Sequence, residues 1–299
     1  MRICMVTNIS NSSNVTGGIE RHMGASVHYN ISYLVQGAEH GPDGAIVLLH
    51  DIPAAAFVWE DIMPQLAGLG RAVYAFDMLG FGESAHPWPA DTSNWGQADV
   101  LSYLIKALGL TNIVLVGHGF GGSVAQILAT RLLRLETQAL VLVDSLCYLY
   151  AFAANWPLTG MAKRQDFDAA QHVSVEDMVK DMHETLPLAV VDKASFNATI
   201  DNYVHPWDSD LGKEVLYQQI RLLLPQYTNS VSSDLHLTAH PVLIIWGNED
   251  QVIPVEYANR LNRDIPGSQL VLVPDAGHYV LFDAPGAVAD ALNNFVNGL

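Results

Sequence analysis

The sequence predicts an α/β fold: a mostly parallel sheet flanked by helices, interrupted by one helical insertion. Three observations carry this. Short apolar and β-branched runs alternate with helical segments along most of the chain, as in repeated βαβ units. Runs such as Ile46-Val47-Leu48-Leu49 and Val141-Leu142-Val143 are apolar throughout, which places cover on both faces of the sheet. The regular spacing breaks once, after Asp144, where about ninety residues pass before the next strand-like run, too many for an ordinary connection.

Taken in order, the strand signals lie over residues 26–35, 45–50, 72–76, 112–116, 139–143, 242–246 and 269–273. Covering helices are expected over 54–69, 98–108, 122–133, 255–263 and 285–296, and the insertion carries helical patterns over 174–185 and 213–224. Residues 1–24, rich in Asn, Ser and Gly, read as a loosely held arm. The core then comprises 25–145 and 236–299, and the insertion, 146–235, is a helical cap.

Composition narrows the partners. A formal net charge of −17 disfavours nucleic acid and anionic membranes, which recruit lysine and arginine. A small-molecule substrate is expected. The chain has no membrane-spanning run and no signal-peptide pattern, and its two cysteines, Cys4 and Cys147, have no paired spacing. Cytoplasmic location, with neither metal nor cofactor, is the expectation.

The chemistry gathers around Gly117-His118-Gly119-Phe120-Gly121-Gly122, a glycine-rich turn between a strand and a helix. That is the setting of a nucleophile elbow, with glycine at the centre. A phosphate loop fits less well: no Lys follows as a Walker loop requires, and no acidic residue ends a second strand about 20 residues on.

With Leu49-His50-Asp51-Ile52-Pro53, Asp77-Met78-Leu79-Gly80-Phe81-Gly82-Glu83-Ser84, Trp246-Gly247-Asn248-Glu249-Asp250 and Asp275-Ala276-Gly277-His278, the chain resembles the α/β-hydrolase superfamily. It is most similar to the capped branch of haloalkane dehalogenases, epoxide hydrolases and carbon–carbon bond hydrolases. The resemblance implies a mostly parallel eight-stranded sheet and, in chain order, Gly119 at the nucleophile position, Asp250 as acid and His278 as base. It also implies an oxyanion hole of backbone N–H groups at Ile52 and Phe120. The plain alternatives are a helix cap for Asp250 and a loop residue for His278.

Two positions depart from that pattern. Gly119 cannot attack anything, and Ser123, Ser145 and Cys147 lack the elbow's geometry as substitutes. Asp51 stands where glycine is usual, and a carboxylate there repels an oxyanion unless protonated, turned away, or capping a helix near Ala54. The expected reading is a rebuilt site in which His278, Asp250 and Asp51 move protons, as in a lyase, isomerase, cyclase, decarboxylase or non-covalent hydrolase. His50, His118, Phe120, Trp156, Tyr203, His205 and Trp207 are the expected substrate contacts. A catalytically dead binding protein and a hydrolase inactivated at Gly119 remain as alternatives.

Overall fold

The computed structural model describes residues 9–15, 18–148 and 172–299. Nine strands form one sheet: β1 (Ile9–Val15), β2 (Ile19–Ser26), β3 (Tyr29–Gln36), β4 (Ile46–Leu49), β5 (Val73–Phe76), β6 (Ile113–His118), β7 (Thr137–Val143), β8 (Val242–Gly247) and β9 (Gln269–Val273). Their order is β1-β2-β3-β5-β4-β6-β7-β8-β9. The first three pairings are antiparallel and the rest parallel. The expected eight strands are thus present with one more at the outer edge.

The strands over 9–15 and 19–24 therefore correct the expected loose arm for those residues. Once Tyr29–Gln36 is in the sheet, its free edge offers unpaired N–H and C=O groups that β2 satisfies in register from Glu20 opposite Val35 to Ser26 opposite Tyr29. Composition alone concealed this, because the pairing partner rather than the local pattern decides an edge strand.

The apolar strands divide their side chains between two cores. Val47, Leu49, Leu115 and Leu142 enter one, and Ile46, Leu48, Val114, Val116 and Val141 the other. Alternation along each strand sends neighbours to opposite faces, so an unbroken apolar run is what a sheet covered on both sides requires.

The helices are α1 (Asn94–Ala107), α2 (Phe120–Ile127), α3 (Val175–Thr185), α4 (Lys193–Asn197), α5 (Asp201–Val204), α6 (Asp210–Arg221), α7 (Pro225–Ser232), α8 (Glu256–Asp264), α9 (Val280–Asp283) and α10 (Pro285–Asn297). Serines set several starts: Ser93, Ser174 and Ser209 accept N–H groups at the first turns of α1, α3 and α6. The helix expected over 54–69 is instead two 3-10 turns, Ala56–Trp59 and Met63–Leu69. Pro64 sits at the start of the second turn, where its missing N–H prevents continuation from the first. Among the described residues no helix is long and apolar enough to cross a membrane.

The order of strands places the site. After β4 the chain moves one way to β5, then crosses to β6 on the other side of β4, so the loops leaving β4 and β6 splay around a shared crevice. Leu49 pairs with Gly117, which puts Asp51 and Gly119, each two residues further on, at the same height above the sheet.

Candidate active site

β6 delivers His118 at the sheet edge, and Gly119 turns the chain with φ 52 and ψ −115 into the first residue of α2, Phe120. Only glycine adopts that conformation without strain. A Cβ at Gly121 would stand 2.5 Å from the carbonyl oxygen of His50 and 2.6 Å from that of Leu49, so strand and helix close up as an elbow requires. A Cβ at Gly119 would land on the carboxyl of Asp51, 2.6 Å from its Oδ2 and closer still to Cγ and Oδ1. The space vacated by the elbow side chain is filled by a carboxylate from the neighbouring loop.

That carboxylate is held at both oxygens. The Phe120 backbone N–H donates to Asp51 Oδ1 at 2.6 Å, and Oδ2 lies 3.1 Å from His278 Nε2. Asp51 does serve a helix N-terminus, but that of α2 and not the turn near Ala54, where only its backbone carbonyl accepts, from Ala54 N–H at 3.0 Å. A negative charge is favoured at the start of a helix. The donor expected to stabilise an oxyanion at Phe120 is therefore already engaged.

His278 sits between two carboxylates: its Nδ1 is 2.9 Å from Asp250 Oδ2. Asp250 Oδ1 accepts from the N–H groups of Val252 at 2.7 Å and Ile253 at 2.8 Å. The turn-capping and catalytic readings of Asp250 thus coexist, one on each oxygen. Burial opposes charge on His278, but the charge of Asp250 and the hydrogen bonds from Asp250 and Asp51 outweigh it and raise its pKa well above the ordinary imidazole value. Burial likewise pushes Asp51 up, yet the hydrogen bond and charge of His278 outweigh it and leave its pKa below the usual value. The resting state is an imidazolium clasped by two carboxylates.

Three groups behind this row were not all foreseen. His50 accepts from Met78 N–H on Nε2 at 3.0 Å; its proton is thereby assigned to Nδ1, which donates to the Asp51 carbonyl at 2.8 Å. His118 Nε2 lies 2.8 Å from the His278 carbonyl oxygen, and burial lowers its pKa to about 4, so it is a neutral donor that steadies the histidine loop. Asp144, which drew notice only as the end of a strand, accepts Gly247 N–H at 2.8 Å on Oδ1. Burial, followed by the charge of Asp250, raises its pKa well above the usual value. The rule that singled out Asp250, an acid at the carboxyl end of a parallel strand, also picks out Asp144.

A small recess lies over the row, lined by Asp51, Ile52, Phe120, Leu146, Leu223, Val252, Ile253 and His278. Of the expected contacts, Phe120 lines it, as does Ile52, which was expected as a backbone oxyanion donor. The others are placed elsewhere. His50 and His118 are buried supports, and His205 is exposed. Tyr203 stacks on Tyr279 and meets Phe57 edge-on, while Trp207 packs against Phe81 and donates to the Pro53 carbonyl at 3.3 Å. These aromatics anchor the inserted helices by filling their core. Trp156 lies outside the described residues. Leu223, Val252 and Ile253 were missed because an aliphatic side chain in a loop or at a helix end gives no local sign of facing a ligand.

The other candidate nucleophiles are occupied. Ser123 Oγ donates to the Phe120 carbonyl at 2.6 Å and accepts from Asn94 Nδ2 at 2.6 Å. Ser145 Oγ donates to the Leu146 carbonyl at 3.0 Å, and burial pushes the Cys147 thiol far up. Among the described residues, two groups place metal-ligating atoms close together, Asp51 with His118 and His278, and Asp144 with Asp250 and His278. Both depend on His278, whose two nitrogens each hold a carboxylate, so a cation would have to displace the proton relay.

Relatives give the same picture of the frame. The family model for the alpha/beta hydrolase fold matches residues 44–285. The AB hydrolase superfamily protein YisY of Bacillus subtilis is 25% identical over 274 residues, spanning 90% of this chain and 96% of that protein. The 2-hydroxy-6-oxo-2,4-heptadienoate hydrolase of Pseudomonas putida is 25% identical over 268 residues, spanning 86% and 90%. In solved structures, the haloalkane dehalogenase DbeA of Bradyrhizobium elkani superposes with a TM-score of 0.81 at 19% identity, over 94% of this chain and 98% of that one. With the elbow, the acid and histidine loops in their places and a family match over most of its length, the chain belongs to the α/β-hydrolase fold family.

Proposed function

We propose that this member of an enzyme family acts in the cytosol on a small, largely apolar organic molecule, through proton transfer along Asp51, His278 and Asp250 and with no attacking side chain at position 119. The observation that carries the reading is the placement of the Asp51 carboxylate in the space of the elbow side chain, on Phe120 N–H and on His278 Nε2 together. A decayed hydrolase would have no reason to refill that space with a group bonded to its base. Ordinary ester hydrolysis through an elbow serine is disfavoured twice, because the serine is missing and the oxyanion donor is taken.

In this reading His278 is the proton carrier and Asp250 sets its orientation and charge. The apolar walls select the substrate by fit and exclude water, which strengthens every charge interaction at the floor. Replacing His278 by Ala is expected to lower turnover by roughly 10²- to 10⁴-fold in a screen of epoxides, haloalkanes, esters and carbon–carbon bond substrates, with product formation as the measurement. Unchanged turnover in that variant, or saturable binding with no product on any substrate, would sink the proposal in favour of a binding protein.

A further inference from the structure

We propose that a cavity at the far end of the sheet from the catalytic row binds a small aliphatic carboxylate. The site shares no residue with that row and does not depend on the reaction proposed for it.

β7 begins at Thr137 and β8 at Val242, while Asp144 and Asp250 follow the opposite ends of those strands. The segments that lead into the two strand starts wall a cavity of about 300 Å³, at the lower end of the ~300–1,000 Å³ found for small-molecule sites. One wall is the π turn Leu128–Leu132 that ends α2, with Arg134 just beyond it; the other is the run from Asp234 to His240, where the chain returns from the inserted helices to the core. A π turn widens the backbone ladder, and such turns recur at functional sites. Thr130 Oγ1 steadies this one by donating to the Gln126 carbonyl at 2.7 Å.

Charge decides the head of the ligand. Asp234 is the one acid in these walls, and Arg131 pairs with it through Nη2. Burial holds the pKa of His240 below the ordinary imidazole value, helped by the charge of Arg134 and opposed by a bond to the Ala129 backbone, so its ring adds no charge at neutral pH. Arg134 is exposed and makes no ion pair or hydrogen bond among the described residues. In a chain with 31 acidic and 14 basic residues, acidic partners are plentiful, and an arginine left unpaired over a cavity marks a place for an anion. One uncompensated positive charge matches a carboxylate, whereas a phosphate monoester carries about two negative charges. The planar guanidinium also fits a carboxylate with two parallel bonds.

The body of the ligand follows from Leu237. It lines the cavity while 68% exposed, with Ala129 on the wall that the π turn supplies, so a short aliphatic chain covers surface that water otherwise wets.

The test is titration calorimetry of the full-length protein with hexanoate, hexanol and inorganic phosphate. Hexanoate is expected to bind saturably, one per chain, and hexanol and phosphate at least tenfold more weakly. Arg134→Gln is expected to weaken hexanoate by roughly tenfold or more, and Leu237→Glu, which sets a negative charge in the wall, by as much. His278→Gln, at the other end of the sheet, is expected to leave the affinity unchanged. Wild-type affinity in Arg134→Gln overturns the site. Binding lost in His278→Gln puts the carboxylate on the catalytic row and overturns it too. Phosphate that binds as well as hexanoate overturns the ligand class, and no saturable binding of hexanoate by the wild-type protein overturns the proposal as a whole.

Discussion

At the floor of the site, Phe120, Asp51, His278 and Asp250 are joined in one unbroken row of hydrogen bonds between 2.6 and 3.1 Å. In the inserted helices some polar side chains reach across to the core, as when Gln219 Nε2 donates to the Leu79 carbonyl at 3.1 Å and Ser232 Oγ to Gln126 Oε1 at 2.6 Å. These bonds tie the cap to the core, while toward the recess it presents the aliphatic Leu223. The reacting groups all come from the core, while the apolar wall is shared, with Ile52, Phe120, Val252 and Ile253 from the core and Leu223 from the cap.

The sharpest way to break this arrangement is at the floor. Gly119→Ser is expected not to restore hydrolysis, because its Cβ collides with Asp51, and to cost stability by roughly 2–5 kcal/mol from overpacking and a strained backbone. Denaturant unfolding and an esterase assay check both halves; a gain in esterase activity at unchanged stability would show that the floor has a spare place for a nucleophile.

A second test reads the floor's charge. His118, held near pKa 4 by burial, takes up a proton near pH 6.5 in the unfolded chain. Between pH 6.5 and 4 the unfolded state binds more protons, so stability falls with falling pH, by about 3 kcal/mol from this group. His118→Gln keeps a donor for the His278 carbonyl and is expected to flatten that part of the pH–stability curve. An unchanged slope would move the acid sensitivity elsewhere.

The smallest effects belong to the cap. Trp207→Phe removes the hydrogen bond to the Pro53 carbonyl and is expected to cost about 1 kcal/mol with little change in turnover. The exposed His205→Ala is expected to change neither. A large loss of activity in His205→Ala would return that residue to the site.

The same division explains what the sequence disclosed. Gly117 to Gly122, Asp250 and His278 were legible because a strand-to-helix turn and the loops after parallel strands constrain residue type and order together. The conflict posed by Asp51 was visible too, but its solution was not: the register of Leu49 with Gly117, which brings a carboxylate over a glycine from a distant part of the chain, leaves no mark in either segment. Tyr203 and Trp207 misled because aromatics look alike in sequence whether they face a ligand or the interior of a cap. The edge strand β1 escaped for a related reason, since its pairing is a property of its neighbour.

The mutual fit of Gly119 and Asp51 also constrains which substitutions the site tolerates singly. A serine placed at 119 meets the carboxylate, and a glycine placed at 51 leaves His278 without its second carboxylate, so each single change disturbs the other position. The two positions are coupled: an elbow side chain at 119 and a carboxylate at 51 exclude one another, so a serine elbow in this frame requires two coordinated substitutions on separate loops.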